Sequence, residues 1–377
     1  MTEINENVPI PEKPKKSRAR KAATAKKKSF NPALSLIDAL KFVSVTQKKA
    51  GPVKVQFSLI CNHWIVASDD VLTVAHPIEE DLKACPHTLQ LIDALQEVKD
   101  ELSITQLSQN TLCISSGVFK ALVPCVLDSE LFILGPDPWC AVLDNRIKET
   151  FTALLPLVTE NALRTEYGCI LLQANTAVST NGSALLEYWH GIDLPPGLLI
   201  PKVAAVAISK VARNLTGFGF SEHSATFYFE NGSFIKTQLY KENYPAYASL
   251  FEVDVNPWQI PAEFFNGVKA VESFSEEGAV FFKDGYILSQ SNKEEASSYK
   301  VEGLPEGMAF NIKNLLLVKH AFNKVNFFPE HKRVLFFGEN IRGILMSLDL
   351  EQEKAYVDDK TYLENVEGEK SSEDVPF

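Results

Sequence analysis

Hydrophobic positions along the chain switch repeatedly between a spacing near 3.6, which buries one face of a helix, and a spacing of two, which buries one face of a strand. The first helical stretch is 32–43, where Leu36, Leu40 and Val43 share a face. Lys41 and Lys48 lie seven residues apart and share the opposite face if that helix continues. Strand-like runs follow at 53–59, 64–67 and 71–75. A second helical stretch at 88–101 gathers Leu91, Leu95 and Val98, and 102–126 reads as strands.

The same order then returns twice. Residues 145–160 read as a helix that breaks or kinks at Pro156, whose ring removes an amide donor. Two apolar runs, 169–172 and 185–186, are held apart by the polar turn Thr180-Asn181-Gly182-Ser183. That stretch reads as a hairpin, because Asn and Gly accept positive φ. A helix over 201–214 has Pro201 in its first turn and sets Lys202 and Arg213 near one face. Strands at 224–230 and 233–240 flank Glu230-Asn231-Gly232. In the third round, 261–274 is helical with Phe264, Val268 and Val271 aligned, and a hairpin turns at Asp284-Gly285. A last helix over 311–325 places Lys313, His320 and Lys324 on one face, ahead of strands at 333–338 and 342–348. The pattern predicts an α+β chain of three consecutive units, 30–130, 139–252 and 256–348. The units agree in element order, and their sequences are not visibly alike.

Charge changes this picture at the two ends. Residues 1–28 carry nine Lys or Arg against three Glu, a net of +6 on a chain whose total is −11, so the remainder carries −17. An acidic body excludes nucleic-acid binding by the whole surface and leaves room for a local basic lining. The arm 1–29 and the tail 349–377, with ten acidic residues against three lysines, are too polar to order themselves and are expected to be disordered. No apolar run approaches the roughly 18 residues of a membrane span, and the start lacks the apolar core of a secretory signal. Six scattered cysteines without a C-x-x-C pair fit a reducing cytoplasm. The seven histidines have no metal-ligand spacing, so neither a metal nor a cofactor is expected. No nucleophile elbow or phosphate loop occurs, Gly217-Phe218-Gly219 lacks a following helix, and Asp69-Asp70 and Glu79-Glu80-Asp81 read as solvated turns. Catalysis is unsupported.

Several short motifs in order resemble the bacterial DNA polymerase III β subunit, the sliding clamp. They are Arg164…Gly168-Cys169-Ile170-Leu171-Leu172, Thr180-Asn181-Gly182-Ser183-Ala184-Leu185, Ile200-Pro201-Lys202, Tyr244-Pro245-Ala246-Tyr247, Phe310-Asn311 and Ile344-Leu345-Met346. The resemblance covers roughly 30–348. It departs where the family has His-Arg and this chain has Ser183-Ala184, and again where the chain runs on past Met346.

The resemblance implies three clamp domains whose helices line a ring closed by two head-to-tail copies around duplex DNA. It implies no enzyme activity, a homodimer, and recruitment of DNA polymerase and clamp loader through short peptides. The groove for those peptides would be built from Tyr167, Thr180, Gly182, Leu185, Pro245, Leu250, Ile344 and Met346. Leu185→Asp is expected to abolish peptide binding with the ring left closed. The DNA-facing set would be Lys41, Lys48, Arg146, Lys202, Arg213, Lys313 and Lys324, for which a solvated helix face is the competing reading. Tail residues Val375-Pro376-Phe377 are expected to visit the groove, so deleting 355–377 should tighten peptide binding. The alternative is a clamp-fold interaction or regulatory protein that binds partner peptides without encircling DNA.

Overall fold

The computed structural model describes residues 31–348, apart from 50, 129–130, 132 and 161–163. The arm 1–29 and the tail 349–377 lie outside the described residues. The order helix, three strands, helix, three strands occurs three times, and the second and third rounds add a strand ahead of each helix. The first round is helix α1 (Leu34–Val43), strands β1 (Leu59–Cys61), β2 (Trp64–Ser68) and β3 (Leu72–Pro77), helix α2 (Thr88–Gln96), and strands β4 (Ser103–Ser108), β5 (Thr111–Ser116) and β6 (Phe119–Pro124). The second is β7 (Trp139–Val142), α3 (Arg146–Leu154), β8 (Cys169–Leu172), β9 (Thr176–Thr180), β10 (Ala184–Trp189), β11 (Leu198–Pro201), α4 (Lys202–Lys210), β12 (Leu215–Phe220), β13 (Ser224–Phe229) and β14 (Phe234–Gln238). The third is β15 (Trp258–Gln259), α5 (Phe264–Glu272), β16 (Ala279–Lys283), β17 (Tyr286–Leu288), β18 (Ser298–Lys300), β19 (Met308–Asn311), α6 (Ile312–Leu317), β20 (Lys324–Phe328), β21 (Arg333–Phe337) and β22 (Ile341–Met346). The α+β class expected from the pattern is the one found.

All strand pairing is antiparallel, and two sheets run across the boundaries between rounds. The first has the order β1-β2-β3-β14-β13-β12-β7, joined where Val74 pairs with Ile235. The second has the order β11-β8-β9-β10-β22-β21-β20-β15, joined where Leu185 pairs with Ile344. The two half-sheets left over are β4-β5-β6 from the first round and β18-β17-β16-β19 from the third. The helices cover one face of the sheets, and a single apolar core runs through all three rounds, from Leu36 and Leu40 through Phe151 and Phe227 to Phe264 and Phe336. On the opposite face lie Asp137, from the connection ahead of β7, and Tyr244, Tyr247, Leu250 and Phe251, from the connection ahead of β15.

Several boundaries move for identifiable reasons. The run Thr176–Thr180, rich in β-branched residues, forms a strand of its own, so the hairpin at 181–183 joins β9 to β10 and not β8 to β10. α3 ends two residues before Pro156, which sits in a 3₁₀ turn. α1 stops at Val43, which leaves Lys48 beyond the helix. α4 stops at Lys210, so Arg213 is also outside. The largest correction is the last helix. α6 ends at Leu317, and Lys324 opens β20, paired with Gln259 on one side and Phe337 on the other. The reason is burial: Val325 and Phe328 are needed on opposite faces of the sheet, which a helix through that stretch would deny them.

Candidate peptide-docking site

The turn between β9 and β10 is built by its own side chains. Asn181 Oδ1 accepts hydrogen bonds from the backbone N–H of Ser183 (3.1 Å) and Ala184 (2.9 Å) and from the Ser183 hydroxyl (3.1 Å). Thr180 turns its hydroxyl inward, donating to the Ala184 carbonyl (2.7 Å) and accepting from the Gly182 N–H (3.1 Å). Gly182 has φ +93°, and a Cβ there would lie 2.8 Å from the phenolic oxygen of Tyr167. A bridge then ties the turn to the next round: Asn181 Nδ2 donates to Asn314 Oδ1 (3.1 Å), and Asn314 Nδ2 donates to Ser183 Oγ (2.9 Å).

Three of the groove candidates stand side by side. Leu185 has Thr180 as its neighbour on β9 and Ile344 as its neighbour on β22, so the three side chains share a face. Met346, two residues further on, shares it too, and its N–H donates to the Ser183 carbonyl (2.8 Å). This is the face away from the helices. Under the crossing chain 239–257, Leu185 packs with Cys169, Leu171, Val178 and Leu199 beneath Tyr244, Tyr247 and Phe251. Ile344 packs with Phe328 and Leu335 beneath Leu250, Phe251 and Val253. Thr180, Leu185 and Ile344 are therefore a buried floor, Tyr167 and Leu250 are half-buried, and Gly182, Pro245 and Met346 are exposed. Pro245 borders a hollow of about 710 Å³ that is also lined by Leu171, Leu199, Tyr244 and Tyr247.

Sequence reasoning missed much of what covers the floor. Tyr244 and Tyr247 bracket Pro245 and were within reach of it; Phe251 and Arg342 were not. The Arg342 guanidinium lies 3.8 Å from the centre of the Phe251 ring and pairs with Glu187 Oε2 at 2.5 Å, a contact across 155 residues of sequence. Burial pushes the Cys169 thiol up to about 12, which makes it a packing group. Burial also pushes the Tyr244 phenol up, and its hydroxyl has no hydrogen-bond partner among the described residues.

The basic residues form a looser set. Lys41 on α1 and Lys210 on α4 are exposed beside Arg213, around a cleft that also holds Asp38. Lys313 is exposed on α6, at a second cleft shared with Lys202 and Glu272. Lys202 pairs with Glu160 at 3.3 Å, and Arg146 pairs with Asp144 at 2.8 Å. Lys210 and Lys269, exposed on α4 and α5, were missed. So was Lys148, whose ammonium donates to the carbonyls of Val211 and Arg213 past the end of α4. No described helix is long and apolar enough to cross a membrane.

Neither a family model nor a curated protein sequence matches the chain. Solved structures do. The DNA polymerase III subunit β of Pseudomonas aeruginosa superposes with a TM-score of 0.70 at 12% identity, over 84% of this chain and 98% of that one. The chain has the sliding-clamp fold. Caulobacter crescentus pol III β gives a TM-score of 0.71 at 14% identity, over 84% of this chain and 98% of that one. The Helicobacter pylori β clamp bound to a DNA ligase peptide gives 0.66 at 17% identity, with the same coverage. At such identities the likeness lies in the fold: the clamp's threefold order of helices and strands is kept while most side chains differ.

Proposed function

We propose that the chain is a DNA sliding clamp: two copies close head to tail around duplex DNA and recruit DNA polymerase and clamp loader through short peptides. The observation that carries this reading is the pair of unfinished sheets. At each boundary within the chain, the third strand after the first helix of one round pairs with the last strand of the next: β3 with β14, and β10 with β22. The strands left with that edge free are β18, the third strand after the first helix of the last round, and β6, the last strand of the first. A second copy placed by the same rule pairs β18 with β6 and closes the ring.

Clamps need charge without sequence reading, so a few exposed lysines on the helices suffice. Lys41, Lys210, Lys269 and Lys313 fit that role best, on α1, α4, α5 and α6. The peptide site in this proposal is the sheet face around Leu185 and Ile344, entered past Tyr167, Gly182, Pro245, Leu250 and Met346. Apolar anchors of a partner peptide would seat on that floor, as in other groove-docking complexes. The second reading, a clamp-fold protein that binds peptides without encircling DNA, is favoured by Ser183-Ala184 in place of His-Arg. Topology separates them. Loaded copies should stay on nicked circular DNA in high salt and leave once the circle is cut. Equal release from both forms would remove the ring reading and leave the peptide binder.

A further inference from the structure

The two crossing connections obey one rule, and the tail begins by obeying it too. Each starts with the same hydrogen bond: Val126 N–H donates to the Cys85 carbonyl (3.0 Å), and Tyr240 N–H donates to the Leu199 carbonyl (3.3 Å). The acceptors each lie three residues ahead of the round's second helix, α2 or α4. Each connection then carries Leu-Phe, four residues, Asp or Asn, and Pro-Trp: Leu131-Phe132 to Asp137-Pro138-Trp139, and Leu250-Phe251 to Asn256-Pro257-Trp258. Each lands on the last three strands of the following round. Asp137 accepts hydrogen bonds from Ser224 (2.8 Å) and Thr226 (2.9 Å) on β13 and from Lys236 (3.1 Å) on β14. Leu250 and Phe251 cover Leu335 on β21 and Ile344 on β22, each 1% exposed.

After β22 the same start is made a third time. Leu348 N–H donates to the Ala309 carbonyl (2.8 Å), again three residues ahead of a helix, α6. Leu348 lies on the outer face of the four-stranded sheet, packed against the cluster of Ala279, Phe281, Leu288 and Ala309. Another 29 residues follow in the sequence, and they include Tyr362-Leu363-Glu364-Asn365-Val366, similar in pattern to Leu250-Phe251-Glu252-Val253. The spacer from the anchored N–H to the apolar pair is 5 residues in the first connection, 10 in the second and 14 in the tail, so length is no obstacle.

What this third strap lacks within one chain is a following round to land on. The matching surface is at the other end. Leu122 and Cys113 are the fourth residue of β6 and the third of β5, paired with each other, as Ile344 and Leu335 are on β22 and β21. Ile344 is covered, but Leu122 is 58% exposed.

We propose that residues 349–366 are a strap in trans, which crosses from the third round of one copy onto the β4-β5-β6 sheet of a second copy and seats Tyr362 and Leu363 over Leu122. The proposal rests on the head-to-tail ring. It makes the acidic tail a fastener of the subunit interface and not an occupant of the peptide site.

The test compares the full chain with a form ending at Leu348 and with the Tyr362→Ala/Leu363→Ala double variant, by sedimentation equilibrium. Both changes should weaken dimerisation at least tenfold. A benzoylphenylalanine at position 363, in a mixture of ¹⁵N-labelled and unlabelled full chains, should crosslink to residues 103–124 of the other isotope. A dimer of unchanged affinity after both changes overturns the strap and leaves the ring standing. Crosslinks to Tyr244–Phe251 or Met346 also overturn it, in favour of a tail that covers the groove. A full chain that stays monomeric at all concentrations removes ring and strap together.

Discussion

Gly182 and Leu185 are three residues apart and respond to change for different reasons. At Gly182 an alanine must hold φ +93° and push against the Tyr167 ring. Such strain costs on the order of 1–3 kcal/mol, so Gly182→Ala should lower the chemical-denaturation midpoint while Tyr167 shifts. Leu185 is 6% exposed and forms part of the floor beneath Tyr244 and Tyr247. Leu185→Asp therefore buries a carboxylate and should unfold this part of the sheet before it reports on binding, contrary to the expectation from sequence. Met346, 38% exposed on the same face, is the cleaner probe. Met346→Glu should weaken binding of a partner-type peptide at least tenfold in fluorescence anisotropy, with an unchanged melting temperature. Equal loss of both would mean that Met346 is core.

The connection 125–138 has its own pH signature. Burial by itself raises the Asp137 carboxyl, but hydrogen bonds from Ser224, Thr226 and Lys236 and the Lys236 charge outweigh it, and the group is held below the usual carboxylate range. A depressed folded-state value contributes stability that is complete above the unfolded value near 4 and is lost as pH falls through the folded one. Asp137→Asn should cost about 3 kcal/mol at pH 7, because Lys236 is left buried beside a neutral partner. The gap between wild type and variant should narrow below pH 4, as read by urea unfolding at a series of pH values. A gap that stays constant with pH would mean that Asp137 contributes by packing alone. The strand that follows, β7, explains why Gly217 has no side chain: a Cβ there would meet the Trp139 ring at 1.9 Å.

Across the whole molecule, charge is spread thinly over the helical face. Each phosphate contact contributes about one unit to the slope of log affinity against log salt. Lys210→Ala/Lys313→Ala should lower that slope by about two and leave dimerisation alone. An unchanged slope would return these lysines to the class of solvated surface groups. Arg146 and Lys202, already paired with Asp144 and Glu160, should change it less.

Legible from residue order alone are the periodic alternation of helix and strand, the break at Pro156, the turn at Asn181-Gly182 and the buried faces of α1, α2 and α5. These are local consequences of spacing, ring geometry and positive φ, so neighbours in sequence suffice to specify them. Long-range packing sets the rest: Lys324 opens a strand, Leu185 lies between Thr180 and Ile344, and Arg342 pairs with Glu187. Those choices depend on which distant apolar face needs cover. The likeness of the Leu131-Phe132 and Leu250-Phe251 connections was written in the sequence all along. It gained meaning once Asp137 was found on β13 and Phe251 on β21 and β22, each on the side away from the helices, because a strap is recognised by what it covers.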